Sequence, residues 1–131
     1  MKLEISQEGV FTPSFNKNKQ LPAADQITVR YRTPTVAIKN RVVKKPQTKG
    51  IVGANGRVDH MEMILEKDDI AILTEMLVSI SNCTYADGEK DRSITTARDL
   101  LEAPIDFEPL LKEIIAEFDR ILAGSEINSK N

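Results

Sequence analysis

The chain has 131 residues, 40% of them hydrophobic and 29% charged, with a formal net charge of −2. That length suits one domain with a core that needs no covalent staples, and the single Cys83 excludes an internal disulfide framework. No apolar run approaches the ~20 residues of a membrane helix, and Met1 to Ser6 lacks the apolar stretch of a secretory leader, so a cytoplasmic protein outside the membrane is expected.

The small net charge hides a split. Up to Arg57 there are eleven basic residues against three acidic ones, about +8, which leaves about −10 for the remainder. Either a basic surface meets an anion, or the two parts pack inside one fold and their fields cancel.

In chain order, Lys2 to Ser6 alternates, with Leu3 and Ile5 on one side, and predicts a short edge strand. Gly9 to Ala24 is broken by Pro13, Pro22, Asn16 and Asn18, so residues 1–24 read as an irregular arm pinned by Phe11 and Phe15, or as an arm by which they grip a partner. Gln26 to Arg32 is the best strand, with Ile27, Val29 and Tyr31 on one face and Thr28, Arg30 and Arg32 on the other. Thr33 as cap and Pro34 in the first turn predict a helix through Lys45, with a second strand as the alternative. Lys44 to Arg57 reads as a loop, flexible and basic over 45–57, with Asn55-Gly56 as a tight-turn pair. Val58 to Leu65 predicts a strand antiparallel to Gln26–Arg32, which sets Glu62 against the basic strand face.

The strongest apolar periodicity follows. Ile70, Leu73, Leu77 and Ile80 form one stripe of a helix capped by Asp68 or Asp69. Asp87-Gly88 reads as a turn, Thr96 to Ala103 as a short helix capped by Thr96 with Asp99 at its third position, and Pro104 as its stop. The last helix has Asp106 as cap, Pro109 in its first turn, an outer Glu108–Lys112 pair and Gly124 as terminator. Its apolar face is Leu111, Ile114, Ile115, Phe118, Ile121 and Leu122, and residues 125–131 read as a disordered tail.

The chemistry-bearing residues form no recognisable site. Gly50 to Gly56 follows Lys44, Lys45 and Lys49, but a phosphate loop ends in Gly-Lys-Ser/Thr, and here Gly56 is followed by Arg57-Val58. His60, the one histidine, has no second histidine or adjacent cysteine with which to hold zinc. Asp87 to Asp91 lacks the ligand series of a calcium loop, and Cys83 beside an apolar segment reads as a small buried residue. No catalytic residue, metal or cofactor is expected.

Leu21-Pro22-Ala23-Ala24-Asp25-Gln26 before a strand, the step Tyr31-Arg32-Thr33-Pro34-Thr35, Asp87-Gly88 followed by Ile94-Thr95-Thr96 and Asp99-Leu100-Leu101, and the closing Leu110-Leu111-Lys112-Glu113-Ile114 give a layout over residues 21–122. This layout resembles small tail assembly chaperones and related tail-module proteins of long-tailed phages and prophages. The resemblance implies a non-enzymatic assembly factor of a bacterial host's cytoplasm that binds tape-measure or tail proteins and self-associates. The alternative is a nucleic-acid-binding or regulatory protein using the basic first half.

The expected fold is α+β: one domain over 1–131, with a small antiparallel sheet from the first half covered by three to four helices, mainly from the second. The candidate partner-binding residues are Phe11, Phe15, Arg30, Arg32, Lys44, Lys45, Lys49 and Arg57. A protein partner and a homo-oligomer fit this reading; nucleic acid and membrane do not.

Overall fold

A computed structural model describes residues 1–52 and 58–128, with side chains described for 1–42 and 68–124. The fold is α+β, as expected. Strand β1 (Glu8–Phe11), strand β2 (Thr28–Arg32), helix α1 (Val36–Val42), strands β3 (Val43–Val52) and β4 (Val58–Lys67) and helix α2 (Asp69–Met76) fill the first part. Strands β5 (Leu77–Ser81), β6 (Thr84–Asp87) and β7 (Lys90–Ser93) and helices α3 (Ala97–Leu101) and α4 (Glu108–Asn128) complete it.

β2 is the centre of a three-stranded antiparallel sheet of order β1-β2-β5. Val29 lies opposite Phe11 on one side and Ile80 on the other, and Val29 and Ile80 are buried. Arg30 and Arg32 alternate onto the exposed face, as the period of two requires. Helix α4 covers the inner face: Leu110, Ile114, Phe118 and Leu122, each four residues apart, are buried with Ile72, Leu73 and Met76 of α2. Leu100 of α3 and Ile38 and Val42 of α1 close the same core. The expected face of the last helix is thus turned slightly, with Leu110 buried and Leu111, Ile115 and Ile121 half-buried.

Several strand expectations are corrected. The partner of β2 is not the 58–65 segment; β4 pairs with β3 in a separate antiparallel hairpin that sets Glu62 opposite Lys49. Two runs adjacent in sequence close a much smaller loop than 26–32 and 58–65 would. The loop expected from Lys44 is therefore strand through Val52, and residues 53–57 lie outside the described residues. The hairpin enters and leaves at one point, where the Asp68 N–H donates to the Val42 carbonyl at 3.3 Å.

The helix expected over 68–80 is divided. α2 stops at Met76, and Leu77 to Ser81 is strand β5. Leu77, Val78 and Ile80 suit a strand, and pairing with β2 satisfies the backbone while burying Ile80 against Val29. Ile70, read as core, is 61% exposed. Asp68 does cap α2, its carboxylate accepting from the Ala71 N–H at 3.0 Å.

The expected strand over Lys2–Ser6 lies instead at Glu8–Phe11, inside the stretch read as irregular; Leu3 and Ile5 are 71% and 69% exposed. The reason is Gly9, which faces Tyr31 across the ladder. A Cβ there would stand 2.3 Å from the Tyr31 ring, so the ring folds over the one residue that leaves it room. Gly9→Ala is expected to cost about 1–3 kcal/mol, because the Tyr31 ring is held by Phe11 and Phe118. Urea melts of the variant check this, and an unchanged midpoint would show that the ring can move aside.

Helix α1 begins later and ends sooner than expected. Thr33 completes the β-ladder, its N–H donating to the Gln7 carbonyl at 2.9 Å, and Thr35 accepts from the Ile38 N–H at 3.1 Å in its place. Pro34 disfavours a helical conformation at the residue before it, which accounts for the shift. At the other end of the chain, Asp106 sits in a 3₁₀ turn (Ile105–Phe107) and α4 starts at Glu108. Gly124 does not stop α4, which runs on to Asn128 through residues expected as tail; an isolated glycine costs only ~1 kcal/mol in a helix.

Other local signals read true. Thr96 and Asp99 form a reciprocal capping box on α3. The Asp99 carboxylate accepts from the Thr95 N–H, the Thr95 hydroxyl and the Thr96 N–H, and these bonds hold it below the usual carboxylate range. That contribution to stability is present above the unfolded-state pKa and fades as pH falls through the folded one. β6 and β7 form a hairpin with Gly88 at φ +66° in its two-residue turn, and Glu108 pairs with Lys112 at 3.1 Å.

Candidate functional site

The six aromatic residues divide into two trios. Phe11, Tyr31 and Phe118 join the sheet to α4, with ring centroids 5.8–6.3 Å apart. Phe107 lies 5.8 Å from Phe15 and 5.5 Å from Tyr85, and these three rings wall a cleft of about 660 Å³. A second groove, of about 200 Å³ between Ile70, Leu101, Leu111 and Ile115, is smaller and holds no aromatic residue.

Three segments build the cleft: 15–27, 82–85 and 106–109. The first is held by Asn18, which is 1% exposed. Its Nδ2 donates to the carbonyls of Pro13 (2.8 Å) and Ile27 (2.9 Å), and its Oδ1 accepts from the Ile27 N–H (2.6 Å). Both amide donors and the amide oxygen are engaged, which ties Pro13 and Ile27 to each other through Asn18. The Ser14 N–H and hydroxyl both donate to Glu113 of α4 at 2.6 and 3.1 Å. Asn82 ties the second segment to the first: its Nδ2 donates to the carbonyls of Ala24 (2.9 Å) and Gln26 (3.0 Å).

Asn16, Lys17 and Asn82 have φ of 49°, 59° and 61°, the only non-glycine residues with positive φ among the described residues. Asparagine tolerates that region best, and two of the three are asparagine. All three lie in segments that build the cleft, where the surrounding hydrogen bonds over-determine the backbone.

Electrostatically the cleft is one-sided. Asp25 and Asp106 line it, both exposed, and among the described residues no lysine, arginine or histidine does. Cys83 also lines it, but burial pushes its thiol up to about 11, so it is neutral at pH 7 and a poor nucleophile or metal ligand. Among the described residues no three of His, Cys, Asp and Glu stand together as a metal site.

The expected partner-binding residues do not share one surface. Phe15 is in the cleft wall, whereas Phe11 packs edge-on to Phe118 at 6.2 Å, on the core side. Arg30 and Arg32 lie on the open sheet face, where Val10 is opposite Arg30 and Glu8 opposite Arg32. Lys44, Lys45 and Lys49 stand on β3 and His60 on β4, strands whose side chains are not described; Arg57 lies outside the described residues. The basic and acidic parts of the chain meet at Arg41 of α1 and Glu75 of α2, 2.8 Å apart. Sequence reasoning missed Asn18, Asn82, Tyr85 and Phe107. The available signal was the scarcity of aromatics, which makes any that cluster informative.

Among the described residues no helix is long and apolar enough to cross a membrane. Compared with known protein families, curated proteins and solved structures, the chain matches none of them.

Proposed function

We propose that this chain is a non-enzymatic, protein-binding assembly factor of a phage or prophage tail module, which acts in the cytoplasm of a bacterial host. The observation that carries the protein-binding part is the cleft walled by Phe15, Tyr85 and Phe107 and pinned by Asn18 and Asn82. Rigid aromatic side chains in a fixed concavity are what interface anchors engage, because little ordering entropy remains to be lost on binding. The tail-module part rests on the resemblance of residues 21–122 to tail assembly chaperones. Co-expression with the products of the genes flanking its own tests both. A stable complex with a long coiled-coil tape-measure protein or a tail protein is expected, weakened by Phe107→Ala. Failure of every flanking product to bind would overturn the reading.

Self-association belongs to the same proposal. A charge-driven oligomer loosens as ionic strength rises from ~0.05 to ~0.5 M, because the Debye length shrinks several-fold. Sedimentation velocity at both salts is expected to show an oligomer at the lower one. A strict monomer at high protein concentration in both would remove self-assembly from the proposal.

The nucleic-acid reading is favoured by one observation, the exposed Arg30 and Arg32 on the uncovered sheet face. Glu8 faces Arg32 across the ladder and offsets part of that charge. Gel-shift titration is expected to give no submicromolar complex with duplex or single-stranded nucleic acid. A complex that weakened by roughly 0.9 log units per log salt for each phosphate contact would reverse the ranking.

A further inference from the structure

The cleft has a chemistry more specific than protein binding. Its wall presents the rings of Phe15, Tyr85 and Phe107, and its lining carries Asp25 and Asp106 with no cation among the described residues. Asp25 comes from the segment that Asn18 and Asn82 pin down, and Asp106 from the turn leading into α4. The two carboxylates therefore reach the cleft from different parts of the fold.

We infer that this cleft receives an arginine or lysine side chain of a partner polypeptide, together with the apolar residues beside it. The inference rests on the protein-binding reading and names the partner's chemistry. An aromatic face attracts a cation through its quadrupole, and a planar guanidinium also stacks on it. The carboxylates supply charge-assisted acceptors that a neutral peptide leaves unused and an acidic peptide meets with repulsion. The volume of about 660 Å³ falls in the range of ligand pockets and leaves room for residues flanking the cation. The hydrogen bonds of Asn18, Asn82 and Glu113 hold the walls in the unbound protein, so binding needs little rearrangement.

Fluorescence anisotropy with three labelled heptapeptides tests this: alternating leucine and arginine, leucine and citrulline, and leucine and glutamate. The arginine peptide is expected to bind at least tenfold more tightly than the citrulline peptide, and the glutamate peptide not at all. The double variant Asp25→Asn/Asp106→Asn should weaken the arginine peptide about tenfold. Glu4→Gln/Asp69→Asn removes the same charge from exposed positions outside the cleft and should leave binding unchanged. Equal affinity for arginine and citrulline peptides, or equal losses in the two double variants, overturns the inference. So does free arginine amide binding as tightly as the peptide, which would make this a site for small cations. If Asp25→Asn/Asp106→Asn still captures the flanking-gene protein at full strength, the cation inference fails while the protein-binding reading stands.

Discussion

Phe118→Ala is expected to destabilise the fold by on the order of 3–5 kcal/mol, the usual cost of emptying a fully buried aromatic site. Phe118 has no exposed surface and touches the sheet through both Phe11 and Tyr31. Its loss leaves a hole between the sheet and α4, where these rings form the contact. That could exceed a third of a typical domain's total stability. Urea unfolding followed by far-ultraviolet circular dichroism measures it. A change below about 1 kcal/mol would mean that α4 does not pack as described.

Asn18→Ala is expected to cost about 2–4 kcal/mol, since it removes three hydrogen bonds of a buried side chain and leaves the part-buried Ile27 N–H without its acceptor. A second substitution separates hydrogen bonding from packing. Asn18→Asp keeps the shape but turns a donor toward the Pro13 and Ile27 carbonyls into an acceptor, so it should cost at least as much as alanine. The new carboxylate would sit buried against two carbonyl oxygens, which raises its pKa in the folded state. The Asn18→Asp protein should then gain stability relative to wild type as pH falls, the reverse of the Asp99 contribution. Both substitutions should weaken ligand capture before they unfold the core, because Asn18 holds the cleft wall and not the α2–α4 contact. An Asn18→Asp protein as stable as wild type at pH 7 would disprove the assigned bonds.

What could be read in the sequence was local. The Asp68 cap, the Thr96–Asp99 box, the Asp87-Gly88 turn and the Glu108–Lys112 pair each depend on residues at most four apart, and each appears in the structure. The face of α4 was legible because its period repeats over many turns. Leu77 to Ile80 was not, since that run fits a helix stripe and a strand alike, and the presence of β2 decides between them. Gly9 opened the stretch read as irregular, although its role is to admit a ring 22 positions further on. The cleft was hidden for the same reason: its walls come from three separate segments, and of its aromatics only Phe15 stood out in the sequence.

The hydrogen bond between Asp68 and Val42 has a topological consequence. Strands β3 and β4 leave the α1–α2 junction and return to it at that bond, with Val43 paired to Lys67 beside it. The two ends lie close enough that a short turn across the neck would join α1 to α2 directly. The stretch between them carries Lys44, Lys45, Lys49 and Arg57, four of the eleven basic residues of the first part of the chain. A change in the length of this hairpin is therefore met first at its neck, where Val42, Val43, Lys67 and Asp68 join it to α1 and α2.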